Sequence, residues 1–253
     1  MRGIVYIHVP KCGGSSFGAA LRARYFYSQA TIDLARSAAA VAELTLELTP
    51  GITGAARILA DYDQRRRDLQ RLMASGVRCI SGHVRYDAGL RGTGQTTGQT
   101  TGSAPDYAFI TLLRDPVDRF VSHYHYLQRR HPDPTRPNSL AGFLTCKDAP
   151  RIASQYLFYF GGQQQDQNQS ADQNRAIDTA KLALAQFDLV GDLSNPAAFT
   201  KGLRHLTGGL VPWVHRNRAP SPTLVPPELR AQITALCAAD IAIYRATQAK
   251  MAA

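Results

Sequence analysis

A chain of 253 residues is long enough to bury a substantial core. Its composition, 44% hydrophobic and 8% aromatic, fits a globular protein and excludes a fibrous or disordered one. The formal net charge of +10 calls for an anionic partner, while the absence of any helix-turn-helix, zinc or aromatic RNA-binding signature argues against nucleic acid. No apolar run approaches the roughly 18 residues that cross a bilayer, so no transmembrane segment is expected. The opening "MRGIVYIHVP" runs from a short apolar stretch into a glycine turn rather than a cleavage site; it reads as a first core strand of a cytoplasmic protein. Cys12, Cys79, Cys146 and Cys237 lie far apart, with no CxxC pair and no Cys/His cluster, so reduced thiols and no metal are expected.

In chain order, "GIVYIHV" (3–9) is a β-branched run suited to a strand buried on both faces. After Gly14 a helix begins, with Phe17, Leu21 and Tyr25 on one stripe. Residues 31–50 read as helical, and 54–74 as a long amphipathic helix stopped by Ser75-Gly76. Within it "DQRRRDLQR" (63–71) interleaves acids and bases like an exposed helix face. A short strand follows in "VRCISGHV" (77–84), then a polar loop over 89–104 that is expected to be mobile. The strand "YAFITLL" (107–113) runs into a helix with Asp115 as N-cap and Pro116 as first residue. Helices are expected at 139–147 and 150–160, followed by a second mobile glutamine-rich loop near 161–173. A helix near 174–186, a strand at 187–192 and helices at 195–206 and 227–249 complete the chain. Strands alternating with helices over short connections predict one α/β domain spanning 1–253. Its fold is a P-loop-like three-layer arrangement, with a mainly parallel central sheet flanked by helices.

The first strand, the Gly-Gly turn and the helix form an anion site, because freed backbone N–H groups and the helix dipole point at one spot. Gly13 and Gly14 let a phosphate approach, Ser15 and Ser16 add hydroxyl donors, and Lys11 adds a cation. An ATP loop carries its lysine after the last glycine, followed by a hydroxyl for Mg²⁺. Here the order is Lys-Cys-Gly-Gly-Ser-Ser and no GK[ST] occurs, which points to a phosphate-bearing ligand held without metal.

"PKCGGSSF" resembles the 5′-phosphosulfate loop of sulfotransferases that use 3′-phosphoadenosine-5′-phosphosulfate, and within them the glycan-type branch, whose loop reads PKTGGTS. Cys12 stands where that loop has threonine. "RDPVDRFVSHYHY" resembles the family's 3′-phosphate element, an arginine at a strand end and a serine eight residues on, here Arg114 and Ser122. "GHVRYD" is similar to the segment of heparan and dermatan 2-O-sulfotransferases that holds a catalytic histidine, here His83. The three segments stand in the family's order.

The resemblance implies in-line sulfuryl transfer from that donor to an acceptor hydroxyl, with His83 as general base. It implies a donor site of Lys11, Cys12, Gly13, Gly14, Ser15, Ser16, Arg114 and Ser122. By position in the late basic loop, Arg216, Asn217 and Arg218 join that site. The acceptor classes left open are an acidic or lipid-linked glycan, a small metabolite and a natural product. From the residues alone, His8 reads as a hydrogen-bonded core residue, His123 and His125 as packing or surface groups, and Trp213 as a loop or core anchor. Arg119 is either a supporting phosphate ligand or a surface charge. Two rivals stay open: a nucleotide kinase or other phosphoryl transferase, against which the missing GK[ST] stands, and a non-enzymatic polyanion binder.

Overall fold

The computed structural model describes residues 2–48, 54–91, 106–162, 170–209, 211 and 225–252. Strand β1 (Gly3–Ile7) feeds helix α1 (Gly14–Arg24), then come β2 (Gln29–Thr31), α2 (Leu34–Leu48), α3 (Gly54–Ala74) and β3 (Cys79–Gly82). A single 3₁₀ turn at Ala88–Arg91 precedes β4 (Tyr107–Leu113) and α4 (Pro116–Arg130). Three short helices follow, α5 (Leu140–Leu144), α6 (Ala149–Ala153) and α7 (Gln155–Phe160), then α8 (Ser170–Gln186), β5 (Leu189–Asp192) and α9 (Pro196–Thr207). Two final helices are α10 (Pro227–Leu236) and α11 (Ala238–Ala252).

All strand pairs are parallel, in the order β2-β3-β1-β4-β5. The expected parallel α/β sheet is therefore present. Strand alternation sends Ile4, Tyr6, Ile110 and Leu112 to one face, where Phe17 and Leu21 of α1 and Phe199 and Leu203 of α9 cover them. Val5, Ile7, Phe109 and Leu113 face the other way, onto Leu69 and Met73 of α3, Tyr156 and Tyr159 of α7, Leu184 of α8 and Ile243 of α11. A third cluster joins α4, α5, α6 and α10 through Val117, Phe120, Phe143, Ile152 and Ile233.

Several expectations are corrected. The edge strand β2 was not expected and takes in Thr31, the first residue of the helix expected over 31–50; its three residues alternate exposed and half-buried and bond to β3 along one side alone. The helix expected over 150–160 is broken at Ser154 into α6 and α7, and the terminal helix is broken at Cys237 into α10 and α11. One group answers for the first break: the Asp240 carboxylate accepts the backbone N–H of Tyr156 at 2.9 Å and of Leu157 at 3.0 Å, capping the new start of α7.

The basic stretch 63–71 is not a plain exposed face. Arg65 and Asp68 are buried in it, and Arg65 pairs with Asp61 and donates to the His83 carbonyl at 3.3 Å. Arg119 is not a surface charge. It is fully buried, pairs with Asp240 at 3.3 Å and donates to the carbonyls of Ile152 and Ala153. The polar loops expected over 89–104 and 161–173 fall mostly outside the described residues, as does Trp213.

Candidate active site

Three strand ends meet at one side of the sheet. β1 pairs with β3 up to Ile7 opposite Gly82, and with β4 on its other side. The residues next in sequence, from His8, from His83 and from Arg114, therefore emerge together at the carboxyl end of a parallel sheet, where open α/β folds take ligands.

The turn between β1 and α1 is strained in a defined way. Lys11 has φ 68°, the one non-glycine residue with positive φ among those described, and Gly13, the N-cap of α1, has φ 78°. Left-handed backbone at lysine costs about 1–2 kcal/mol, a strain typical of ligand-binding turns. No side chain caps α1. Gly14 is required by contact: a Cβ there would stand 1.7 Å from Nε2 of His8.

Lys11 reaches from the turn to α4, where its Nζ lies 4.0 Å from the centre of the Tyr126 ring. Burial, then Arg129 and Arg114, push its ammonium down to about 8. None of Lys11, Arg114 and Arg129 belongs to an ion pair among the described residues. Three cations gathered without a carboxylate repel one another, and an anion between them relieves that repulsion. Ser122 lies one turn before Tyr126 and two before Arg129, so the three share one side of α4.

Tyr156 ties the two segments together. Its hydroxyl accepts the Arg114 N–H at 2.8 Å and stands 3.5 Å from the Cys12 thiol. That thiol is fully buried and pushed up to about 11, so it lies in the core and leaves only the backbone of residue 12 to serve the turn. The Tyr156 amide is in turn held by Asp240, the partner of Arg119. The buried ion pair thus anchors the residue that fixes both Arg114 and the turn.

His83 follows β3 directly. Its Nδ1 lies 2.7 Å from the carbonyl of His8, a group that only accepts, so Nδ1 carries the proton and Nε2 keeps a lone pair. The Tyr159 hydroxyl sits 3.4 Å from the same Nδ1. Burial lowers the pKa of His83 below the ordinary imidazole range, against the carbonyl hydrogen bond, and Arg65 adds to the lowering. His83 and His8 line a cleft of about 200 Å³ together with Gly14, Gly18, Arg22 and Ile32.

The structure thus brings Lys11, Gly13, Gly14, Arg114, Ser122 and His83 to one edge, with the backbone of Ser15 and Ser16 in the first turn of α1. Arg216, Asn217 and Arg218 lie outside the described residues. Tyr126 and Arg129 are not among the residues expected from the sequence, and His8, expected in the core, stands at the site. The first two sit four and seven residues after Ser122, a helical spacing that was open to view. His123 lies on α4 with its pKa pushed down to about 3, by burial first and then by Arg119 and Lys11; no described residue bonds its buried Nδ1.

A parallel sheet with a glycine turn, a cationic cluster and a neutral histidine at one edge is the layout of a group transferase acting on an anionic donor. The sulfotransferase family model matches residues 2–187, and the chain belongs to that family, whose chemistry is sulfuryl transfer. A search among curated proteins returns no match. No helix among the described residues is long and apolar enough to cross a membrane.

Proposed function

We propose that the protein transfers a sulfuryl group from 3′-phosphoadenosine-5′-phosphosulfate to the hydroxyl of a carbohydrate or small-molecule acceptor. The carrying observation is the Lys11–Arg114–Arg129 cluster, three cations without a carboxylate partner among the described residues, beside the glycine turn. A donor with charge at both ends fits it. Lys11 and the backbone N–H groups from Gly13 to Ser16 bind the 5′ end. Arg114 and Ser122 bind the 3′-phosphate. The donor supplies an activated sulfuryl group attached to a phosphate that leaves.

The residues of the chain divide the work. Lys11 and the turn amides stabilise the negative charge that grows on the leaving phosphate. His83 takes the proton of the acceptor hydroxyl at Nε2, since Nδ1 is already committed to the His8 carbonyl. A base held neutral by its surroundings is ready for this at ordinary pH.

The test is calorimetric titration with 3′-phosphoadenosine-5′-phosphate, with ATP and Mg²⁺ as control, on the wild type and Arg114→Ala. Micromolar binding of the bisphosphate, weak ATP binding and loss in the variant are expected. Preference for ATP with Mg²⁺ would move the reading to phosphoryl transfer.

A further inference from the structure

The register of β1 and β3 has a chemical consequence at its last step. Ile7 stands opposite Gly82, so the next residues on each strand, His8 and His83, face each other just beyond the sheet. Their rings stack, with centroids 4.3 Å apart and 27° between planes. Tyr6, two residues before His8, stacks beneath it at 5.5 Å. On its remaining side His8 presses against Gly14, where even a methyl group has no room. The imidazole of His8 is thus a wedge between the donor loop and the ring of His83.

We propose that His8 is a positioning residue for this reaction: its ring, held between Gly14 and His83, orients His83 so that Nε2 is offered to the acceptor. The inference rests on the reading of His83 as the base.

Two features give the wedge its effect. The His8 backbone fixes the tautomer, by accepting from Nδ1 at 2.7 Å. The His8 side chain fixes the ring plane, by stacking on one face while the His8 N–H anchors to the Gly82 carbonyl at 2.9 Å. Two imidazolium rings at this separation repel, so the pair is not doubly protonated. The charged and titratable groups around the pair act in the same sense. Lys11 from the turn and Arg22 from α1 bear on His8, and Arg65 from α3 bears on His83. Tyr159 from α7, buried and with its phenol held well above the ordinary range, contributes a neutral hydroxyl. Burial pushes the His8 pKa far below the usual imidazole range.

The experiment is a pH titration of the histidine ring nitrogens by ¹⁵N NMR, on the wild type, His8→Ala and His8→Asn, with His83→Gln to assign the His83 signals. Bisphosphate binding is measured alongside. In the wild type His83 titrates below the ordinary imidazole range with Nδ1 protonated. In both His8 variants the His83 midpoint rises, while the bisphosphate dissociation constant stays within about threefold. The asparagine variant keeps bulk at residue 8 should alanine destabilise the fold.

An unchanged His83 titration in both variants overturns the proposal. Loss of bisphosphate binding in both also overturns it, because His8 would then serve the turn rather than the base. Failure of the wild type to bind bisphosphate would instead sink the donor assignment, and the His8–His83 coupling would still be judged by the titration.

Discussion

The Lys11 ammonium rests 4.0 Å from the centre of the Tyr126 ring on α4. A cation over an aromatic face is worth about 0.5–2 kcal/mol. On the proposed reading, a donor 5′-phosphate drawn to Lys11 competes with that contact. The ring therefore holds the lysine at the edge of the proposed donor site.

From this follows a gain rather than a loss. Tyr126→Leu removes the competing contact and keeps an apolar side chain of moderate size. Bisphosphate affinity is expected to tighten by about 2- to 10-fold, read by calorimetry. Weakened binding would place the ring among the groups that hold the donor.

The lysine also sets a pH dependence. In the free protein its ammonium is pushed down to about 8 by burial, Arg129 and Arg114. A bound phosphate favours the charged form and raises that pKa again. The protonated lysine is the binding form, so its contribution to affinity is flat well below pH 8 and falls as pH rises through about 8. The slope approaches tenfold per pH unit, about one proton. Proton uptake at pH 8 follows from calorimetry in buffers of different ionisation enthalpy. Lys11→Ala binds weakly and loses the slope.

Gly14 is the tightest point of the site. A Cβ there would overlap the His8 ring, with Nε2 at 1.7 Å. Gly14→Ala must displace His8, and through it His83. Overpacking of this kind destabilises by about 1–3 kcal/mol. Turnover is expected to fall further than this stability loss explains, and the His83 ring signals to move. An alanine variant with wild-type signals would show that the turn yields instead.

Arg119 and Asp240 form a fully buried pair beneath the site. Removing one partner strands the other charge, and Asp240→Ala also uncaps α7; a loss of about 3–5 kcal/mol is expected in urea denaturation. Burial raises the Asp240 carboxyl to about 6 despite Arg119 and the amides it accepts. A carboxyl raised above its unfolded value contributes stability that is present at low pH and is lost as pH rises through about 6. Asp240→Asn therefore removes a component of stability that declines between about pH 4 and 6. A wild-type pH profile in that variant would assign the slope elsewhere.

The strand–turn–helix at residues 3–24 and the strand–helix at 107–130 were legible because their signals are local. A β-branched run, two glycines, an Asp-Pro start and an apolar stripe each act within a few residues. Lys11 stood out because it belongs to a glycine turn after a strand, whereas Arg114, Ser122 and His83 were marked by their resemblance to sulfotransferase motifs. Arg114 and His83 do follow strands, and a parallel sheet gathers strand ends on one side, while Ser122 lies within α4.

Other features had no local signal. β2 is three half-exposed residues held by β3 alone. Arg65 read as part of an exposed helix face and Arg119 was left open between a supporting ligand and a surface charge, because nothing in the sequence marks either arginine as buried. His8 looked like a strand interior, yet β1 ends one residue earlier, and the register with β3 lays its ring on His83. By itself the sequence determined the sheet type and the glycine turn, since these depend on short-range backbone preferences. Tertiary structure alone decided which charges are paired, which imidazole nitrogen holds the proton and where Lys11 rests, because each depends on a partner many residues away in the chain.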